Sequence, residues 1–289
     1  MRILSTKEIE NTVSALCRTA ATRLPEHVRA DLAAALAAEA PGAASAALEV
    51  ILENADCAEQ TGIPLCQDTG MACVFLELGQ EVAVSGDIES AVNRGVARGY
   101  TEGFLRKSVV ADPLFARINT RNNTPAAIYV SFDGGKTGVP DGKVRITVAP
   151  KGFGSENKSR IKMLNPTDGE DAVVDFVAET VRLGGGSPCP PLYIGVGIGG
   201  TFDKCALEAK RALVFGSDFG EDEETAEKYR ALAEKILESV NNTGVGAMGY
   251  GGCVTALGVS LRWLPTHIAG LPVAVNVGCH SMRHAESVV

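Results

Sequence analysis

The chain has 289 residues, 45% of them hydrophobic and 21% charged, the composition of a globular protein and not of a disordered or fibrous one. A formal net charge of −8 speaks against a nucleic-acid partner, which needs a basic footprint to displace counterions from phosphate. No apolar run approaches the roughly 20 residues of a membrane span, and the N-terminus shows no leader pattern, so no membrane partner and a cytoplasmic location are expected.

In chain order, Ser5 and Glu8 have capping-box spacing, and Ile9, Val13, Leu16 and Cys17 follow at helical intervals. Alanine- and leucine-rich residues 28–40 predict a second helix. Pro41 opens a third that runs toward Gln60, with Gly62 as its stop. The texture then changes to strand-like runs at 71–78 and 81–84, followed by a helix over 87–100. Residues 126–132 and 143–148 are two strand candidates joined by the glycine-rich stretch 133–138, which predicts a hairpin. Beyond them the periodicity predicts a helix over 171–183, a buried strand over 192–198, helices over 203–213 and 222–240, and strands at 254–259 and 273–277. The expected fold class is α+β (mixed α/β), a helical N-terminal region followed by sheet segments flanked by helices, in one domain over 1–289.

Between positions 101 and 165 stand eleven Lys or Arg against five Asp or Glu, a locally cationic stretch in an acidic chain. It suits a small anion, and a solvated basic face accounts for it equally well. The eight cysteines lack both a secretory leader and the paired spacing of a zinc finger, which points to structural thiols, metal ligation or catalysis. Cys66, Cys189 and Cys279 sit among glycines and prolines, in loops where a thiolate can reach a metal cluster. Cys17 and Cys205 fall in predicted helices, Cys57 at a helix end, Cys73 in a strand and Cys253 where a strand begins. These five read as small buried hydrophobes.

The blocks around these positions carry a specific resemblance. They are Pro64-Leu65-Cys66-Gln67-Asp68-Thr69-Gly70, Leu105-Arg106-Lys107-Ser108, Asn119-Thr120-Arg121-Asn122-Asn123, Pro150-Lys151-Gly152-Phe153-Gly154-Ser155-Glu156-Asn157, Gly185-Gly186-Ser187-Pro188-Cys189-Pro190-Pro191 and Asn276-Val277-Gly278-Cys279-His280. In this order they resemble the class I, iron–sulfur-dependent fumarase and tartrate dehydratase family in its α-subunit form. The resemblance implies a 4Fe–4S cluster on Cys66, Cys189 and Cys279, with one iron left open as a Lewis acid for a small dicarboxylic acid substrate. It further implies a catalytic, proton-transferring Asp68, and substrate contacts from Gln67, Arg106, Gly152 and His267.

Structural alternatives stand beside each role. Asp68 caps a turn well, Gln67 and Gly152 can be purely structural, and a lone histidine such as His267 is more often structural. Arg121 and Lys151 are weaker candidates, while His280 and His284 read most simply as exposed. Phe153 departs from the family's frequent glycine, which bears on pocket shape and hence on the acid accepted. Fumarate and malate are the first substrate pair expected, and tartrate the second.

Single-chain members of the family carry a further C-terminal domain that this chain does not show. A separate β subunit is therefore expected as partner in an α2β2 enzyme, across an interface on the order of 2,000 Å² or more. A noncatalytic iron–sulfur subunit is one rival. The other is a dinucleotide-binding protein, because Gly195-Val196-Gly197-Ile198-Gly199-Gly200 fits G-x-G-x-x-G with Asp218 downstream. The second lacks the strand that should follow the helix and end at the acid.

Overall fold

A computed structural model describes residues 2–132 and 138–289 and divides the chain into two compact units. The first comprises the described residues of Met1–Pro25, Asn54–Phe153 and Arg283–Val289, the second Glu26–Glu53 and Gly154–Met282. The mixed α+β class is what the molecule adopts. No helix of the described residues is long and apolar enough to cross a membrane.

The first unit opens on a strand, β1 (Arg2–Ser5), where the sequence pattern indicates helix, and β1 pairs in parallel with β3 (Val82–Ser85). Helix α1 (Thr6–Thr22) begins as its cap predicts, with the Ser5 hydroxyl accepting from Glu8 N–H at 3.2 Å. Its main sheet runs β10 (Ala285–Val288), β5 (Val144–Lys151), β2 (Met71–Leu78), β4 (Ala127–Phe132). Strand β2 therefore separates β4 from β5, parallel to the first and antiparallel to the second. This corrects the expected hairpin. Local turn signals cannot register that a better-paired strand is available from far upstream in the chain, and most of the joining stretch, 133–137, lies outside the described residues.

Helices α1 and α4 (Ile88–Glu102) pack with this sheet around Ile9, Val13, Val74, Ile146 and Tyr100. Their close approach needs small residues. A Cβ at Gly95 would lie 2.8 Å from the Glu10 carbonyl, and one at Gly99 2.8 Å from that of Ser14.

The second unit is a sandwich of a central sheet between helices, in the order β6 (Arg160–Leu164), β9 (Leu271–Gly278), β7 (Leu192–Gly199), β8 (Ala256–Leu264). Alternation along the strands assigns the faces. Ile194, Val196, Val273, Val275 and Val277 bury against α6 (Gly169–Gly184) and α8 (Glu223–Asn241). Ala274, Gly195 and Gly197 meet α7 (Phe202–Phe215) on the other face.

The glycines that imitate a nucleotide fingerprint are packing glycines. A Cβ at Gly195 would stand 2.1 Å from the Ala209 carbonyl, and at Gly197 2.2 Å from that of Cys205. Asp218 faces Arg262 at 3.8 Å. Gly197→Ala is accordingly expected to lower unfolding stability by about 1–3 kcal/mol, since a helix backbone must move to admit one methyl. A shift in urea midpoint at unchanged slope checks this.

Candidate functional site

Accessibility sorts the eight cysteines into three groups. Cys17, Cys73 and Cys205 are buried, Cys57 and Cys253 are exposed, and Cys66, Cys189 and Cys279 are half-buried. Burial pushes the thiols of Cys17 and Cys205 up to about 12, so both stay protonated and unreactive. The buried-hydrophobe reading thus fails for Cys57 and Cys253. Cys253 does not begin a strand but lies in the loop before β8, its N–H donating to Glu39 Oε1 at 2.8 Å.

In the first unit, the residue before Cys66 is anchored. Leu65 is buried beside Ala55 and Ala58, its N–H donates to the Ala21 carbonyl, and its own carbonyl accepts from Asn54 Nδ2, both at 2.9 Å. Cys66, Gln67 and Asp68 then emerge toward solvent, with Gln67 exposed. Asp68 Oδ1 accepts from Gly70 N–H at 3.0 Å and Oδ2 from Phe153 N–H at 2.9 Å. The turn-capping role is therefore present, and it aims the carboxylate at the end of β5.

Gly152 permits that approach, because a Cβ there would sit 3.1 Å from Asp68 Oδ2. Phe153 contributes its backbone N–H, which is independent of the side chain that departs from the family's glycine. Lys151 is buried, with Nζ 3.4 Å from the Gly152 carbonyl. Arg106 is exposed, and its carbonyl accepts from Thr69 Oγ1 at 3.1 Å, which ties it to the Asp68 loop. Among the described residues no carboxylate pairs with its guanidinium. A fork of that kind is suited to a substrate carboxylate. Arg121 is exposed in a left-handed turn (φ 66°), in keeping with a surface role.

In the second unit, Cys189 itself occupies the left-handed region (φ 57°) within the loop between α6 and β7. Cys279 follows the last residue of β9, its Sγ 3.5 Å from Ser281 Oγ. The two loops meet through His280, whose backbone N–H and ring Nδ1 both lie on the Cys189 carbonyl, at 3.2 and 3.0 Å. His280 is half-buried, which corrects the reading of an exposed residue. The end of β9 is braced by Asn276, whose Nδ2 donates to Glu156 Oε2 and Ser159 Oγ, each at 2.8 Å. Lys210 Nζ lies 2.7 Å from Glu156 Oε1. His267 is exposed beside Lys204, Arg211 and Thr266 in a cleft of about 560 Å³. Its Nδ1 accepts from Ala269 N–H at 3.2 Å, so the neutral ring carries its proton on Nε2 and can donate.

Among the described residues no three His, Cys, Asp or Glu side chains gather as ligands of a single metal ion. A cubane cluster does not ask for that convergence, because each thiolate binds its own iron. The donor chemistry suits a cluster: the three half-buried thiols are unbridged and turn-borne, accessible enough to ligate and shielded enough to persist.

Three supporting residues went unnoticed in the sequence. Asn123, fully buried, joins Ser108 N–H to the Gly70 carbonyl at 2.7 and 3.1 Å. Tyr100 donates to the Thr69 carbonyl at 2.7 Å, and Arg283 Nη2 to the Asp68 carbonyl at 2.9 Å. Asn123 lies in a quoted block. Tyr100 and Arg283 have no local signal, since their role arises only where distant segments meet.

Comparison with known proteins agrees with the blocks read above. The family model described as fumarate hydratase (Fumerase) matches residues 10–288. A Methanocaldococcus jannaschii protein, provisionally named L(+)-tartrate dehydratase subunit alpha, is 40% identical over 286 residues, covering 96% of both chains. The L(+)-tartrate dehydratase subunits alpha of Escherichia coli O157:H7 and Shigella sonnei are each 28% identical over 272 residues, covering 93% of this chain and 86% of theirs.

Proposed function

Given that this chain belongs to the fumarate hydratase (Fumerase) family, we propose that it is the α subunit of an iron–sulfur hydro-lyase that removes water from L(+)-tartrate. The similarity that supports this reading extends over nearly the whole of a relative provisionally given that name, and it favours tartrate over the fumarate and malate pair first expected. Loss of water across the two hydroxylated carbons of tartrate gives the enol of oxaloacetate, which then becomes the ketone.

Cys66, Cys189 and Cys279 would hold a 4Fe–4S cluster. When bound, the cluster supplies Lewis-acid stabilisation of the departing hydroxide at an iron without a protein thiolate. The chain's own residues bind and orient. Arg106 pairs one substrate carboxylate through its guanidinium fork, Gln67 donates to substrate oxygens, and Gly152 leaves room beside the reacting carbons. His267 stands beyond the end of β7 opposite to Cys189 and Cys279, so it takes no part in this site. Asp68, held by two backbone N–H groups, moves a proton at its carboxylate, alone or with a group of the partner chain. The relatives' names, each a subunit alpha, support a separate β subunit as partner in an α2β2 assembly.

Anaerobic assay of the chain coexpressed with a candidate β subunit tests the proposal. The expected result is kcat/KM for L(+)-tartrate at least about tenfold above that for malate, a preference of about 1.4 kcal/mol in the transition state. Activity should vanish in air and be negligible for the α chain alone. A preference for malate would return the chain to the fumarate hydratases, and full turnover by the isolated chain would remove the β subunit from the scheme.

A further inference from the structure

We infer that His280 is a positioning residue, a clamp that ties the Cys279 loop to the Cys189 loop and holds both thiols in register. The inference rests on the proposal that these two cysteines ligate a cluster. Its physical basis is the conformation of Cys189. That residue carries a side chain in the left-handed region (φ 57°), which L-residues adopt only when surrounding structure over-determines it. Cys189 N–H donates to the Gly186 carbonyl of its own loop at 3.2 Å, and the next residue, Pro190, offers its carbonyl to Met248 N–H of a separate turn at 2.8 Å.

The Cys189 carbonyl is where the second loop takes hold. It accepts from His280 N–H at 3.2 Å and lies 3.0 Å from His280 Nδ1. A carbonyl oxygen only accepts, so Nδ1 carries the proton and the ring is held in the Nδ1–H form. Any residue at 280 supplies the backbone bond, whereas only a side chain with a donor at the Nδ1 position supplies the second. Cys279 is the next residue back along the chain. Two hydrogen bonds onto one oxygen thus fix where one thiol-bearing backbone stands against the other. Ser159 Oγ accepts from Val277 N–H at 3.1 Å and steadies the same strand end, so the clamp acts from a braced base.

Three variants of the full chain separate this role from others: His280→Ala, which removes the donor, His280→Asn, whose Nδ2 replaces Nδ1, and His280→Gln, whose Nε2 replaces the other ring nitrogen. The first readout is hydrogen exchange of the cluster-free chain, followed by mass spectrometry. His280→Ala is expected to speed exchange in peptides spanning 186–191 and 279–282 by about tenfold, the local opening that loss of one hydrogen bond allows, with the global unfolding midpoint little changed. The second readout is iron and acid-labile sulfide after anaerobic reconstitution, and the rate of their loss to a chelator. That loss is expected to be about tenfold faster in His280→Ala, within the range for residues that orient metal ligands. His280→Asn should restore both measurements and His280→Gln neither.

Unchanged exchange in His280→Ala, or restoration by Gln as good as by Asn, overturns the clamp. Altered exchange with cluster retention unaffected overturns its role toward the cluster. A wild-type chain that takes up no cluster, yet shows the Ala and Asn pattern in exchange, retains the clamp and overturns the iron–sulfur reading instead.

Discussion

Serine at any one of positions 66, 189 or 279 is expected to abolish cluster uptake and to lower turnover on the order of 10³-fold or more. Lewis-acid stabilisation of a leaving hydroxide is worth several kcal/mol, and about 1.4 kcal/mol corresponds to each decade of rate. A serine oxygen is a hard ligand that does not replace a soft thiolate at iron. Iron and sulfide analysis and visible absorbance after anaerobic reconstitution measure the first effect, and initial rates the second. Cys57→Ser is the matched control. That thiol is exposed on α3 (Ala43–Thr61), so the variant should retain both cluster and activity. A cluster that survives any of the three substitutions removes that cysteine from the ligand set.

Asp68→Asn should lower kcat by about 10²–10⁴-fold while the cluster stays in place, the usual range for loss of a positioned acid–base group. The geometry gives the variant a second consequence. Asp68 accepts two backbone N–H groups, one on each carboxylate oxygen, from Gly70 and Phe153. Asparagine satisfies one of them and turns an NH₂ toward the other, so about 1–3 kcal/mol of local stability should be lost as well. Catalytic and structural roles separate in the measurements. A catalytic Asp68 lowers kcat far more than it lowers cluster content or thermal midpoint. If turnover merely follows cluster content, Asp68 is a turn cap and proton transfer belongs elsewhere.

Much of the fold was legible because local chemistry agreed with the outcome. Ser5 caps α1, Gly62 (φ 70°) ends α3, and the apolar run 71–78 is β2 to the residue. The misreadings share one cause. Strand β1 exists because β3 offers a partner, and β6 and β10 because β9 and β5 do, so none carries a strong period of its own. The supposed hairpin failed because β2 outcompetes the neighbour in sequence. The glycine fingerprint, set aside for want of a second strand, has a packing cause: a backbone that must admit a helix needs the same missing Cβ as one that must admit a pyrophosphate.

By itself the sequence determined the chemical inventory: which thiols sit in turns, which carboxylate follows one of them closely in the chain, and which family the blocks resemble. Those properties are local, written in residue identity and short spacing. Only the tertiary structure decided which cysteines are half-exposed, that Asp68 is gripped by the Phe153 N–H just beyond β5, that Arg283 and Tyr100 hold its loop, and that His280 binds the Cys189 carbonyl. Each of these depends on burial or on contacts between residues tens to hundreds of positions apart. Such contacts follow from how strands pair and faces pack, which no short window of sequence encodes.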